Sequence, residues 1–445
     1  MEKKLYAGYA KMVITPPLGL RIPGSYNHRY ADGVINDLHM RATAFSDGEN
    51  KAVIFSCDAI SIRADAYNIV RAKVAERCGI DPAAVYVTCT HSHTAFRMEP
   101  VTNDPEDAVI NGHLTETYEK FAECAAAAFE DLKPAKLLVA AGKVEGLGFS
   151  RRYRMKDGSC RTNPGTGNPD VVAMLGKQDE SVQLLRVERE GGKEILMVNF
   201  GTHADTMGGI TKYCTDWPGF TADIIEGVYS CQKEVMVLIG AQGDSNQVNV
   251  FLKRGYAKNY GMPKSLFMAH TLANEAVRIY GEAKEIPSDK VAFYKTKVKI
   301  DKNPHTPEEE PIAEEVRQIY LEKGTQAPEL ANYPMSYVKA LRIYQNMKRP
   351  FSAFELDMYG LQIGNVAFIG VPGEPFMQIG MDMKAASHMD MTFVTALTNG
   401  GEGYYPDAAA FEEKGYERDT TPFASDCAAI LVEGAKAMME QMEKL

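Results

Sequence analysis

The chain has 445 residues, 45% hydrophobic and 24% charged, with 49 basic against 59 acidic side chains and a net charge of −10. This is ordinary globular material with enough apolar residues for a large core, and the acidic balance excludes the basic face that a nucleic-acid partner needs. No apolar run is long enough to span a bilayer, and no apolar segment follows Lys3 and Lys4 as an export signal would require. The eight scattered cysteines form no CxxC pair, so reduced thiols in a cytoplasmic protein are expected. Nothing in the composition opposes a homo-oligomer.

In chain order, Ala7 to Thr15 reads as a strand stopped by Pro16-Pro17, because proline cannot continue a ladder. His28 and His39, which follow, read as structural residues. Lys51 to Cys57 is a short, continuous apolar strand. Ala64 to Cys78 carries helical spacing at Ile69, Val70 and Val74 and ends before Gly79. The next strand, from Tyr86, runs into Thr90-His91-Ser92-His93. In an extended chain residues i and i+2 share a face, so both imidazoles can enter one pocket. An Ala-rich helix spans Leu114 to Phe129, and Lys136 to Lys143 is a strand. Beyond it, Ser150-Arg151-Arg152-Tyr153-Arg154 precedes a Gly/Asn/Pro-rich loop. These arginines form a solvated face or clamp an anionic or carbonyl group.

Glu194 to Phe200 is a buried-type strand running into Gly201-Thr202-His203-Ala204-Asp205. Asp216-Trp217-Pro218-Gly219 precedes a helix from Phe220 to Tyr229. Val235 to Gly240 is a strand ending in Gly243-Asp244-Ser245-Asn246, which lacks the full phosphate-loop pattern. Lys264 to Glu282 reads as a helix and Val291 to Ile300 as a strand. Helices at Pro307 to Lys323 and Ser336 to Lys348 make a charged excursion over about 301–350. Leu361 to Val371 reads as one strand ending in Pro372-Gly373-Glu374. A strand from Thr392 to Leu397 leads through Asn399-Gly400-Gly401 to Tyr404, and Ser425 to Leu445 closes the chain as a helix. Alternating strands and helices, with no linker or repeat, predict one large α/β domain. Two packed mixed β-sheets flanked by helices are expected, because the strands are too many for one layer.

Separate strands therefore end at His91 and His93, His203, Asp244 and Asn246, Glu374 and Tyr404. In α/β folds such strand ends carry the site. Two imidazoles, a carboxylate and a phenol suit a catalytic zinc with one open position; the competing reading is a set of unrelated loop residues.

The wording and order of these segments resemble the neutral/alkaline (non-lysosomal) ceramidases, in their N-terminal catalytic domain, over about residues 6 to 420. Val13-Ile14-Thr15-Pro16-Pro17-Leu18-Gly19 resembles the family's opening motif, and Thr90-His91-Ser92-His93 its THTHSGPGG signature. Arg151 stands where the family has an arginine, with Ser150 replacing the preceding Asn. His203, Asp216-Trp217-Pro218-Gly219, Gly243-Asp244 and Pro372-Gly373-Glu374 follow in family order. Tyr404 precedes Tyr416-Glu417 as the family's metal tyrosine precedes its own YE. The resemblance implies one Zn2+ held by His91, His203, Glu374 and Tyr404, with His93 beside it to move a proton and Arg151 to anchor substrate. It departs at three places. Asn246 occupies the position of the family's serine, Thr94-Ala95-Phe96-Arg97 replaces GPGG, and no counterpart of the family's C-terminal immunoglobulin-like domain is expected. The expected activity is zinc-dependent hydrolysis of a linear N-acyl amide, and the partner expected from the site and the resemblance is a small-molecule substrate, smaller than ceramide or different from it. Hydrolysis of an ester, lactone or glycoside, or binding without catalysis on the same scaffold, are the competing outcomes.

Overall fold

The computed structural model describes residues 4–253 and 259–445; residues 1–3, part of the segment read for an export signal, lie outside the described residues. Two mixed sheets form the centre. The larger runs in the order Lys233–Ile239, Glu194–Phe200, Ser181–Arg189, Lys133–Lys143, Leu5–Val13, His39–Ser46, Lys51–Cys57, Val85–Cys89, with Lys284–Ile286 also paired to Lys133–Lys143. The smaller joins Val291–Asp301, Ala353–Ile363, Val366–Gly370 and Met391–Thr395. Their inner faces share one core, in which Leu361, Phe368 and Phe393 of the smaller sheet meet the cluster holding Val53, Phe55 and Val87 of the larger. Burying one such aromatic is worth roughly 2–3 kcal/mol, and Phe368 stacks on Phe393 at 5.1 Å. Helix Ala108–Glu130 packs on Leu5–Val13 and His39–Ser46 of the larger sheet. Helices Met377–Ala385 and Cys427–Met439 cover the outer face of the smaller sheet, through Ile379, Leu431 and Met438. This is the expected α/β architecture of two packed sheets flanked by helices.

The sheets contain three parallel pairs, and these position the site. Lys51–Cys57 pairs with Val85–Cys89, Glu194–Phe200 with Lys233–Ile239, and Val366–Gly370 with Met391–Thr395. A parallel pair needs a crossover, supplied here by helices Ala64–Cys78, Asp216–Val228 and Met377–Ala385 respectively. Two of the pairs lie at opposite edges of the larger sheet. That sheet curls until the Ser56 hydroxyl donates to the Val237 carbonyl at 2.6 Å. The third pair bridges them: Thr88 Oγ1 donates to Ala396 O at 2.9 Å, and Ala396 N to Ile239 O at 3.1 Å. The loops beyond all three pairs are thereby gathered at one place.

Several elements differ from the sequence reading. The strand expected over Leu361 to Val371 is a hairpin: Ala353–Ile363 turns back at Gly364-Asn365, where Gly364 takes φ 56°, and returns as Val366–Gly370. A Gly-Asn pair between two β-rich runs is a hairpin signal. Strand Lys133–Lys143 runs through Pro134, which still offers its carbonyl to Glu190 N. The helix after Thr215 begins at Asp216, with Pro218 in its first turn, where its missing N–H costs nothing.

Candidate metal centre and its cavity

Strand Val85–Cys89 ends just before Thr90, and His91 then bends the chain at φ 60°. A left-handed non-glycine residue costs about 1 kcal/mol or more. It is held here by His91 N donating to Ala59 O at 3.0 Å. The two histidines do meet, with ring centroids 4.8 Å apart, but through this bend rather than through strand alternation. His203 arrives from the loop after Glu194–Phe200, and its backbone N donates to Ser245 O at 3.2 Å. Glu374 and Tyr404 are register partners in a short parallel bridge, Glu374–Pro375 with Tyr404–Tyr405.

The hydrogen bonds settle the tautomers, since a carbonyl can only accept. His91 Nδ1 donates to Ile60 O at 2.8 Å, and His93 Nδ1 to Gly24 O at 3.0 Å. His203 Nδ1 donates to both Gln242 O and Ser245 O at 2.8 Å. Each neutral ring therefore presents a bare Nε2. Those of His91 and His93 lie 3.2 Å apart, and the ligand atoms of all three rings fall within 4.8 Å of one another. Glu374 Oε2 stands 3.3 Å from His91 Nε2 and 3.1 Å from His203 Nε2, yet is buried with no hydrogen-bond donor. Among these four groups acceptor faces acceptor, with Arg151 Nη1 a neighbouring donor 3.3 Å from His203 Nε2. Tetrahedral coordination at ~2.0–2.1 Å sets donor atoms about 3.3 Å apart, and these separations match it. The residues fit a divalent cation. The backbone carbonyls that take the Nδ1 protons are the outer partners that metal-bound imidazoles usually have.

Electrostatics agree with neutral rings. Burial, then the Arg151 charge, pushes His203 down to about 4. Burial and the two neighbouring histidines hold His93 well below its ordinary value. Burial drives the Glu374 carboxyl up, and only positive charge beside it, on the imidazoles of His91 and His203 or on a cation between them, holds it low. Tyr404 is pushed up by burial and by Glu374. Its ring lies 6.4 Å from that of His203 and receives the Arg151 guanidinium at 5.1 Å.

Arg151 is buried, with Nε 2.7 Å from Glu417 Oε1 and Nη1 3.3 Å from His203 Nε2. Its Nη2 has no hydrogen-bond partner of good geometry, although the Tyr404 phenol lies beside the guanidinium. Asn246 is turned away: its Nδ2 donates to Asn163 Oδ1 at 3.1 Å, its Oδ1 accepts from Val248 N at 3.0 Å, and it does not line the cavity. Ser245, one residue before it, bonds Gln178 and Thr202 instead. Asp244 accepts from Met377 N at 2.8 Å, at the start of helix Met377–Ala385, and burial pushes its carboxyl up to about 7.

The histidines open into a cavity of about 870 Å³ whose walls include Asp205, Asn163, Arg161 and Tyr416. Sequence reasoning passed over all four as site residues. Asp205 is pushed up to about 7 by burial and by Asp216, and its Oδ1 lies 3.9 Å from His93 Nδ1. Tyr26 and Tyr337 add an aromatic edge, with rings 5.3 Å apart; the Tyr26 hydroxyl lies 3.3 Å from that of Tyr416. The excursion helix Tyr337–Lys348 thus reaches the cavity through Tyr337, and Tyr320 of Glu309–Lys323 packs behind it.

Fold and site together define a mixed α/β scaffold that gathers three imidazoles and a carboxylate beneath a cavity lined by charged and tyrosine side chains. Among solved structures, the chain is similar to a neutral ceramidase from Pseudomonas aeruginosa, with TM-score 0.73, 16% identity, and coverage of 100% of this chain and 76% of that one. It is equally similar to a ceramidase complexed with C2, with TM-score 0.73, 15% identity and the same coverage. No family model and no curated protein matches the sequence. The likeness to the neutral ceramidases read from the motif order therefore holds for the fold. Among the described residues, no helix is long and apolar enough to cross a membrane.

Proposed function

We propose that the chain is a zinc-dependent hydrolase that cleaves a linear N-acyl amide with water. The observation that carries this reading is the convergence of three bare imidazole nitrogens and a donor-less carboxylate oxygen. The ceramidase fold supports amides as the bond class. His91, His203 and Glu374 hold the cation, Tyr404 is the fourth ligand, and His93 stands at its edge. A zinc ion there supplies a water of pKa ~7 and polarises a carbonyl.

The chain's own groups do the rest. His93, neutral and with a bare Nε2, takes a proton and returns it to the leaving nitrogen. Arg151 offers Nη2 to the acyl oxygen as negative charge develops there. One lone pair serves one partner, so with His203 Nε2 given to a cation Arg151 Nη1 would lose that acceptor and become available to substrate as well. Asn246 stands at the position of the family's serine and lies outside the cavity lining, so no side-chain nucleophile is offered at that position. Elemental analysis of purified protein, with a panel of N-acyl amides assayed with and without chelator, tests the proposal. Stoichiometric zinc, lost in His203→Ala together with amide turnover, is expected. Zinc retained in that variant overturns the ligand assignment, and turnover indifferent to chelator overturns the metal dependence.

A further inference from the structure

The cavity above the histidines sets tyrosine rings among charged groups and offers few aliphatic contacts to a lipid chain. Among its described lining residues only Ile60 and Leu397 are aliphatic, while Arg97, Arg151 and Arg161 bring three guanidinium groups to one cavity. This happens in a chain whose net charge is −10. Each methylene left wet forgoes about 0.8 kcal/mol of burial, so a long acyl or alkyl chain gains little here. A neighbouring cleft of about 520 Å³ holds Phe96, Ile110 and Leu114, but Arg97 lines both spaces.

The arginines are differently placed. Arg151 is only 7% exposed and its Nη2 is unpartnered, a buried donor facing a cavity. Arg161 sits on strand Cys160–Thr162, beside the strand that follows Arg151. Its ion pair with Asp157, at 3.4 Å and about 60% exposed on both sides, is of the kind worth little. Asn163 lies two residues on, at φ 49°, with its N–H on Arg151 O at 2.8 Å. Asn246 donates to Asn163 Oδ1, which sets the amide so that its NH2 end is left for a ligand. That NH2 has no hydrogen-bond partner among the described residues.

We infer that the substrate of this pocket carries an anionic group, a carboxylate in the simplest case, received by Arg161 and Asn163 beside the scissile amide. The inference rests on the amide-hydrolase reading and narrows it to small amides of the N-acyl amino acid type. A carboxylate takes two parallel N–H bonds from a guanidinium, shorter and stronger than neutral ones. Arg97, weakly paired with Glu99 at 3.3 Å, adds attraction at the mouth.

The test uses the purified, metal-containing protein and matched probes: N-acetylphenylalanine, its uncharged carboxamide, and a long-chain N-acyl sphingoid base. Hydrolysis and calorimetric binding are both measured. The carboxylate probe should be favoured over the carboxamide by about tenfold or more in kcat/KM, and in affinity, equivalent to ~1.4 kcal/mol. Arg161→Gln should cut that preference to within about threefold, with the loss falling mainly on the carboxylate probe. Asn163→Gly, which suits the positive φ, should also lower it. Equal handling of the two probes, a preference that survives Arg161→Gln, or a preference for the long-chain amide overturns the inference while leaving amide hydrolysis standing. If no amide is cleaved, the hydrolase reading falls. The binding comparison then decides alone: equal affinities overturn the anionic site, and a carboxylate preference lost in Arg161→Gln upholds it.

Discussion

Replacing Glu417 by glutamine tests how the cavity holds its buried arginine. Glu417 is fully buried, accepts from Arg151 Nε at 2.7 Å and from Thr162 Oγ1 at 3.2 Å, and lies 3.9 Å from Arg152 Nε. With charge centres about 4 Å apart and an effective dielectric of about 20, the Arg151–Glu417 attraction is ~4 kcal/mol. Glutamine keeps one neutral hydrogen bond worth about 1 kcal/mol, so Glu417→Gln should cost roughly 3 kcal/mol, in the range for an uncompensated buried charge. Urea unfolding of Glu417→Gln, Arg151→Met and the double variant gives the coupling directly, and roughly 2–3 kcal/mol is expected. Arg152 provides the control, because Glu413 at 2.8 Å is its nearer partner; its coupling to Glu417 should stay below about 1 kcal/mol. Zinc content should not change in Glu417→Gln, while kcat/KM falls about tenfold as Arg151 loses its fixed direction. An Arg151 coupling under about 0.5 kcal/mol, or an Arg152 coupling larger than it, refutes this account of the site.

Tyr404→Phe should lower zinc affinity or turnover, whereas Tyr405→Phe should only lose the bond to Pro372 O at 3.1 Å, about 1 kcal/mol of stability with activity intact; metal titration and thermal melts separate them. Asn246→Ser should create no new amidase activity, because that side chain faces Asn163 and Val248 rather than the cavity, and should cost about 1–2 kcal/mol in denaturant unfolding. His113, buried against Phe96 at 4.9 Å, is pushed down to about 4 by burial and then by Lys120. The unfolded ring binds a proton near pH 6.5 that the folded one refuses, so the stability is complete above that pH. It is lost as pH falls toward 4, by roughly 3 kcal/mol in total. The Tm of His113→Gln should therefore fall less than that of the wild type between pH 6.5 and 4, and equal falls count against it.

The parts of the fold readable in the sequence are those whose burial is apolar and uniform. Lys51–Cys57 and Glu194–Phe200 are unbroken apolar runs, and both are strands with the expected ends. Helix Ala64–Cys78 stops where Gly79 turns left-handed at φ 62° and donates back to Ala75 O. Strand His39–Ser46 escaped because it is buried on both faces, and Arg41 and Thr43 interrupt its apolar pattern. Arg41 is 2% exposed and bound to Asp58 at 2.9 Å, an arrangement no hydropathy pattern marks. Strand Ser181–Arg189 hides for a similar reason, since Arg186 and Arg189 pair with Glu194 and Asp131. A buried polar side chain is satisfied by a partner far along the chain, and the partner is what a local window cannot see.

The site divides along the same line. His91, His203, Glu374 and Tyr404 could be picked out because each follows a readable strand, and the parallel pairing of those strands then carries the first three into contact. Asp205 and Asn163 sit in loops, Arg161 on the short strand Cys160–Thr162 and Glu417 in the short helix Tyr416–Thr420, and their meaning is set by neighbours from other segments. Gly243 shows how the two kinds of information join. Its motif is too incomplete for a phosphate loop, yet a Cβ there would stand 2.3 Å from the Glu374 carbonyl oxygen. The chain needs glycine at that point so that the loop after Lys233–Ile239 can lie flat against the one bearing the carboxylate, with Gly243 N donating to Pro375 O at 2.8 Å. A residue that looks like a binding-loop glycine in one dimension is, in three, what lets Glu374 come within reach of His203.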